Sequence, residues 1–196
     1  MMVCIKVLIE GRAARIPEGW KAYSTTALLE DMGRKILVDP GSRPDLVGLM
    51  TEKRVRPDEI DMIYLTHYHL DHAMNIRMLP LVPIVDSEYL YRGIEISRHQ
   101  GCLPGTGIRI LPTPGHTNDH SSLLAHSGRG LEVICGDLFW FQEGDEPIED
   151  MTSLLELEDP LAQDREALAK SRRMVVDMAD VIIPGHGPEI VLDELQ

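Results

Sequence analysis

The stretch Thr66-His67-Tyr68-His69-Leu70-Asp71-His72 holds four candidate metal ligands within six residues. It follows the short apolar run DMIYLT, which predicts a buried strand. Residues two apart in an extended chain point to the same side, so His67 and His69 can bind one ion together. Asp71 and His72 come where the chain turns into a helix, and they can face a second ion. Neutral imidazoles with a carboxylate are the ligands that zinc takes in catalytic sites.

Three further candidate ligands follow strand-like runs elsewhere in the chain. They are His116 in TPGHT, Asp137 in CGDL and His186 in PGHG. Each comes after an apolar run and a turn signal, so each can lie at the edge of a sheet and point into one cleft. A surface patch of histidines is the simpler alternative, and the position of the cluster directly after a buried strand disfavours it.

The composition narrows the class of protein. The chain has 196 residues, of which 43% are hydrophobic and 26% charged, as expected for one soluble domain with a sizeable core. A formal net charge of −13 disfavours broad electrostatic binding to nucleic acid or to an anionic membrane. No signal peptide or membrane-length apolar run is evident, and the three cysteines show no CxxC spacing. We therefore expect a cytoplasmic protein with reduced thiols and no membrane partner.

Strand and helix signals follow a similar order in the two halves of the chain. Hairpins are predicted over residues 25–39 and 121–135, with helices later in each half. Residues 11–19 have the glycine and proline content of a loop. Asp159-Pro160 predicts the start of a helix. The core face of that helix is predicted to carry Leu161, Leu168, Val175 and Met178. These signals predict two sheets packed together, with helices outside.

The pattern resembles the metallo-β-lactamase-fold hydrolase superfamily over nearly the whole chain. Five landmarks of that superfamily occur in order: Asp39 in VDPG, the HxHxDH cluster, His116, Asp137 and His186. The resemblance implies an α+β fold, a four-layer αββα sandwich of two mixed sheets packed face to face. Residues 1–196 would form a single domain, with the active site along one edge of the two sheets.

The resemblance also implies a role for each candidate ligand. His67, His69 and His116 would bind a first metal, whereas Asp71, His72 and His186 would bind a second, and Asp137 would bridge the two. Asp39 would orient the site rather than bind metal. We expect two Zn²⁺ per chain, with iron or manganese as alternatives. A hydroxide bridging the two ions would then be the nucleophile, with Asp71 as the candidate proton shuttle and Asp137 as the other catalytic residue.

The reaction that this site predicts is hydrolysis of an ester, lactone, thioester or phosphodiester by a metal-dependent enzyme. A small molecule is the favoured substrate, and the chain could form a homodimer. Two other activities stay open: an RNA phosphodiesterase that uses the same site, and an iron-dependent oxidoreductase similar to persulfide dioxygenases. A non-catalytic metal-binding protein is disfavoured because no ligand position is lost.

The C-terminal third carries a narrower resemblance, to the metallo-β-lactamase domain-containing protein 1 family. It rests on LEDPLAQ at 157–163, SRR at 171–173 and ADVIIPGHGP at 179–188. That family includes nuclease-type members, which is why RNA is kept as an alternative partner.

Two features near the predicted site have no assigned role. His120 departs from the superfamily pattern after His116, and it either touches substrate or only reshapes the turn. Residues 11–23 could overhang the site and close over substrate. Candidate pocket walls are Trp20, Tyr23, Tyr68, Phe139 and Trp140, with Arg98 or Arg109 available to meet an anionic group.

Overall fold

The computed structural model describes residues 2–145, 148 and 150–195. The strands are β1 Cys4–Ile9, β2 Arg12–Ile16, β3 Gly19–Tyr23, β4 Thr26–Asp31, β5 Arg34–Val38, β6 Met62–Tyr64, β7 Ile84–Val85, β8 Tyr89–Arg92, β9 Glu95–Arg98, β10 Arg109–Pro112, β11 Ser121–Ser127, β12 Gly130–Trp140, β13 Val181–His186 and β14 Ile190–Val191. The α-helices are α1 Leu46–Glu52, α2 Leu70–Ala73, α3 Met151–Leu155 and α4 Arg165–Val176. No helix in this described part of the chain is long and apolar enough to cross a bilayer.

The strands form two large sheets and one separate hairpin. The first sheet has seven strands in the order β1-β4-β5-β6-β7-β8-β9, and the second has five in the order β10-β11-β12-β13-β14. Both sheets are mixed, because β5, β6 and β7 run parallel in the first, and β12 and β13 run parallel in the second. The hairpin of β2 and β3 stands apart from both sheets.

Three apolar clusters show how the layers stack. One cluster contains side chains from both sheets, including Ile36 and Tyr64 from the first and Ile110 and Ile134 from the second, so the two sheets pack face to face. A second joins α1 to the outer face of the first sheet, and a third joins α3 and α4 to the outer face of the second sheet. The predicted α+β sandwich with four layers is therefore confirmed. That residues 1–196 form a single domain stays a prediction.

The ends of the parallel strands meet along one edge of the sandwich. Parallel neighbours have their carboxyl ends at the same edge, so the residues that follow β5 and β6 are close, as are those at the ends of β12 and β13. Backbone hydrogen bonds join the two sheets here, from Ser121 N to Thr66 O (3.0 Å) and from Thr25 N to Gly185 O (2.6 Å). The candidate ligands lie at this edge.

The prediction of a loop over residues 11–19 is wrong. Arg12–Ile16 and Gly19–Tyr23 pair antiparallel, with Ile16 opposite Gly19. Pro17 and Glu18 form the turn between these strands, where proline costs no ladder hydrogen bond. The glycine and proline content therefore marks the tip and one end of a hairpin rather than a structureless segment.

The helix predicted to start with Asp159 as N-cap and Pro160 as first residue begins five residues later, at Arg165. Asp164 is its N-cap and accepts a hydrogen bond from Ala167 N. Leu168 and Val175 are buried as predicted, but Leu161 is 47% exposed and Met178 is 37% exposed, so the predicted core face is half right. The Asp159 carboxylate instead accepts hydrogen bonds from Leu161 N and from a histidine of the candidate site.

Candidate metal centre

All seven predicted ligands meet at the shared edge of the two sheets. Two sets of donor atoms each lie within 4.8 Å of one another: His67, His69, His116 and Asp137 in the first set, and Asp71, His72 and His186 in the second. Asp137 also contacts the second set, because its Oδ1 is 3.1 Å from His72 Nε2 and 3.5 Å from His186 Nε2. Its Oδ2 is 3.4 Å from His116 Nε2. The carboxylate of Asp137 thus stands between the two sets.

The backbone from β6 to α2 positions the HxHxDH ligands in both sets. His67 and His69 are two residues apart in the segment between β6 and α2. Their rings therefore point to the same side of the chain. His69 is the N-cap residue of α2, with extended backbone. Asp71 and His72 lie in the first turn of this short helix, and the change from strand to helix directs them to the second set.

An irregularity in the pairing of β12 with β13 directs the Asp137 side chain toward the other ligands. The register between the two strands shifts on either side of Gly136, which has φ of +47°. A Cβ atom at position 136 would lie 2.5 Å from Thr66 Oγ1, and one at Gly185 would collide with Asp137 Oδ1. Glycine is therefore required at both positions to bring the Asp137 carboxylate against the strand that carries His186.

Hydrogen bonds at Nδ1 fix the tautomer of two buried histidines and direct their Nε2 atoms toward the cluster, where His116 Nε2 lies 3.0 Å from His69 Nδ1. His72 Nδ1 lies 2.8 Å from Asp39 Oδ2, and His116 Nδ1 lies 2.7 Å from Asp159 Oδ2. A carboxylate only accepts hydrogen bonds, so each Nδ1 carries the proton that it donates. In the neutral ring the lone pair is then on Nε2, which faces the cluster.

The same reasoning applies to His67 through an intervening hydroxyl. Thr66 Oγ1 donates to Asp39 Oδ2 over 2.7 Å, so it is free to accept a hydrogen bond from His67 Nδ1, 3.0 Å away. His67 Nε2 and Asp137 Oδ1 are buried and make no hydrogen bond within the described part of the chain. Buried acceptors that converge in this way are costly unless a cation binds them. The donor set therefore fits divalent metal ions.

The charges of the cluster shift the pKa values of its members in both directions. Burial raises the pKa of Asp137, but the positive charges of His72 and His186 outweigh burial and hold that pKa well below its ordinary value. For His186, burial is opposed by Asp137 and the pKa rises to about 9. Burial dominates at His67 and lowers its pKa. The cluster thus attracts positive charge toward Asp137, whether as protons or as metal ions.

Two buried carboxylates lie behind the ligands, and only one of them was predicted. Asp39 has a positive φ of +44° and accepts hydrogen bonds from Thr66 N (2.9 Å), from Thr66 Oγ1 and from His72. Asp159 was missed because an Asp-Pro pair is also a standard helix start. No spacing rule in the sequence links it to His116, which precedes it by 43 residues.

Arg172 of α4, also missed, holds the segment that carries Asp159. Its side chain is buried, with Nε donating to Leu138 O (2.8 Å) and Nη1 donating to Leu157 O. The guanidinium lies 5.3 Å from the centre of the Phe139 ring. Arg172 therefore connects β12, next to Asp137, with the chain just before Asp159.

His120 is buried beside the cluster without joining it. Its Nδ1 lies 3.0 Å from Thr113 O, and its ring centre is 5.2 Å from that of His67. Burial lowers its pKa to about 3, so the ring is neutral. His120 belongs to neither set of donor atoms found among the described residues. It supports the turn after His116.

A cavity of about 480 Å³ opens directly onto the cluster. It is lined by Ala13, Trp20, Ala22, Ser42, His69, Leu70, Asp71, Met74, Asp137, Trp140, Leu161 and His186. A larger depression of about 820 Å³ shares Ala13 with this cavity, and its described lining residues include none of the predicted ligands.

Of the predicted pocket walls, only the two tryptophans line this cavity. Their rings meet edge to face, with centres 5.5 Å apart. The other aromatic residues have different partners: the Tyr68 hydroxyl donates to Asp86, the Tyr23 ring lies under Arg43, and Phe139 is fully buried. Arg98 and Arg109 do not line the cavity either.

The fold and the site together define a metallo-β-lactamase-type metal centre at the edge of an αββα sandwich. The family model described as "Metallo-beta-lactamase superfamily" matches residues 20–99. Metallo-beta-lactamase domain-containing protein 1 of Mus musculus is 31% identical over 88% of this chain and 71% of that protein. The Xenopus laevis protein of the same name is 35% identical over 94% of this chain and 79% of that protein. The chain belongs to the metallo-β-lactamase superfamily.

Solved structures at lower identity share the fold. AidC, a dizinc quorum-quenching lactonase, superposes with a TM-score of 0.64 at 15% identity, covering 87% of this chain and 75% of that one. TTHA1623 in a di-iron-bound form superposes with a TM-score of 0.61 at 22% identity, covering 92% of this chain and 93% of that one.

Proposed function

We propose that this protein is a cytoplasmic hydrolase that uses two divalent metal ions, preferably zinc, to cleave a small-molecule ester, lactone, thioester or phosphodiester. The observation that carries the proposal is the position of the Asp137 carboxylate between two sets of donors, with Oδ1 facing His72 and His186 and Oδ2 facing His116. A carboxylate in this position can bind both ions at once.

The ligand roles follow the two sets of donors. His67, His69 and His116 would hold one ion, whereas Asp71, His72 and His186 would hold the other. Two such ions would lower the pKa of bound water, which would supply a nucleophile at neutral pH, and they would polarise the bond to be cleaved. The carboxylates behind the rings, Asp39 and Asp159, fix the orientation and tautomer of His72 and His116.

Asp71 is the ligand best suited to move a proton. Its side chain is 26% exposed, lines the cavity and lies 3.2 Å from His186 Nε2. Burial raises its pKa, but the hydrogen bond with His186 outweighs this and lowers the pKa below the ordinary value. An ionised carboxylate at the cavity wall can accept a proton at Oδ1 or Oδ2 and return it to the leaving group.

Metal content and activity measured on the same sample test the proposal. Protein purified without chelator or added metal is analysed for zinc, iron and manganese, and then assayed on lactones, thioesters, esters and phosphodiesters. We expect about two zinc ions per chain, with hydrolysis lost after chelation and regained when zinc returns. Near one iron per chain, with oxygen uptake on persulfides, would instead establish the oxidoreductase alternative.

A further inference from the structure

The cavity beside the metal centre has apolar walls on three sides. The hairpin of β2 and β3 forms one side, α2 with the turn after it forms a second, and the end of β12 with the segment before α4 forms the third. The apolar side chains on these walls are Ala13, Trp20, Ala22, Leu70, Met74, Trp140 and Leu161. A cavity of about 480 Å³ falls in the range of small-molecule sites.

Large apolar side chains at this cavity are left exposed. Leu70 is 68% exposed, Leu161 47% and Met74 38%. Leu161 is exposed because α4 begins only at Arg165, which leaves Leu161 outside the helix. Apolar surface grouped around a concave site, rather than scattered singly, marks a place where an apolar ligand is stabilised by leaving water.

The charged residues of the cavity are negative or are candidate metal ligands. Its described lining contains Asp71 and Asp137 but neither lysine nor arginine. Two arginines border the region. The Arg15 guanidinium lies 5.9 Å from the centre of the Trp20 ring, and Arg43 is paired with Asp45 at 2.6 Å. Phosphate groups are bound mainly through arginine, lysine and backbone donors, so the walls offer little to a phosphodiester.

Resting on the hydrolase function proposed above, we propose that the substrate is a neutral ester, thioester or lactone with an alkyl or acyl chain. The reacting carbonyl group lies over the donor atoms, and the chain lies against Trp20, Trp140 and Leu161. The cavity thereby selects against phosphodiesters, including RNA.

Binding of unreactive methyl ketones tests the chain site separately from hydrolysis. The chain contains two tryptophans, and both line the cavity, so their emission reports occupancy. Metal-loaded protein is titrated with the series from 2-butanone to 2-octanone. We expect the Kd to fall by roughly two- to fourfold per added methylene, the upper value corresponding to full burial. A Kd that does not change along the series would overturn the proposal.

The variant Leu161→Asn, with a matched surface control, tests whether the alkyl chain binds against Leu161. Leu161→Asn removes an apolar wall at an exposed position, whereas Leu81→Asn makes the same change at a side chain that is 94% exposed and does not line the cavity. We expect Leu161→Asn to weaken 2-octanone binding by about fivefold, the loss of one to two buried methylenes. Leu81→Asn should bind as the unmodified protein does. Equal losses in both variants would contradict the assignment.

Turnover measurements then test the proposed substrate class separately from the proposed hydrolase function. The substrates are p-nitrophenyl esters from acetate to octanoate, bis(p-nitrophenyl) phosphate and a short RNA. We expect kcat/KM to rise with chain length and to exceed the value for both phosphodiesters. Faster cleavage of a phosphodiester, with no dependence on ester length, would overturn the substrate class while keeping the hydrolase. Ketone binding that depends on length, without turnover of any substrate, would uphold the apolar site and overturn the hydrolase.

Discussion

His72 and His116 are each oriented by a buried carboxylate, but the two carboxylates are held in different ways. Asp39 comes directly after β5 and accepts three hydrogen bonds, two from Thr66 and one from His72, so the first sheet itself fixes its position. Asp159 lies between α3 and α4, and its carboxylate also accepts a hydrogen bond from Leu161 N in its own turn. Arg172 secures that segment. One half of the metal centre is therefore part of the sheet, whereas the other depends on a segment bound from outside.

The largest effect is expected from replacing the residue that the two halves of the metal centre share. Asp137→Ala takes away the carboxylate that faces both donor sets, so we expect both ions to be lost and hydrolysis to fall to background. The sheets should stay folded, because Asp137 lies at the edge rather than between them. Elemental analysis and far-ultraviolet circular dichroism check these two expectations. Two bound ions per chain in the folded variant would show that Asp137 is not shared.

Replacing the carboxylate that is built into the sheet should affect both metal binding and stability. Asp39→Asn leaves a side chain that cannot accept all three hydrogen bonds. We expect zinc affinity at the set with Asp71, His72 and His186 to fall by about 10- to 100-fold. The free energy of unfolding should fall by about 1–3 kcal/mol, because buried donors lose their acceptor. Competition with a chromogenic chelator and urea denaturation measure the two effects, and an unchanged urea midpoint would contradict the structural role.

Replacing the carboxylate on the bound segment should weaken metal binding more than it lowers stability. We expect Asp159→Asn to weaken zinc binding at the set with His67, His69 and His116 by about 10- to 100-fold. The urea midpoint should change less than in Asp39→Asn, because Asp159 supports one ring and its own turn. If both donor sets lost affinity equally, the two halves would not be independent.

The smallest effect is expected from the residue that secures the segment. Arg172→Met keeps a long apolar side chain against Phe139 but loses the hydrogen bonds to the carbonyls of Leu138 and Leu157. We expect about a tenfold loss of zinc affinity at the set with His67, His69 and His116. This is the smallest loss typical of replacing a residue that supports a metal ligand. Arg173→Met, at an exposed neighbouring position, is the matched control and should leave affinity unchanged. Equal zinc affinity in the two variants would show that Arg172 does not support this set of ligands.

Sequence patterns predicted the layers of the fold and the identity of the residues that converge, because both depend on local rules. The HxH pair needs only an extended chain, and the other ligands need only strand ends that share an edge. Asp159 and Arg172 could not be predicted, because their partners are distant in sequence and the local signal of Asp-Pro favours a helix start. The β2–β3 hairpin was missed for a related reason: its short strands carry few β-branched residues, and its turn residues dominate the composition.

The close approach of Gly185 to the Asp137 carboxylate limits how this metal centre can be redesigned. Because a single methyl group at position 185 would overlap Oδ1, there is no room on that side for the extra methylene of a glutamate at position 137. Laboratory evolution toward other metals or spacings would have to proceed through the exposed side of the site, at His69 and Asp71. Position 185 should tolerate substitution as poorly as the ligands themselves, although it donates no atom to a metal.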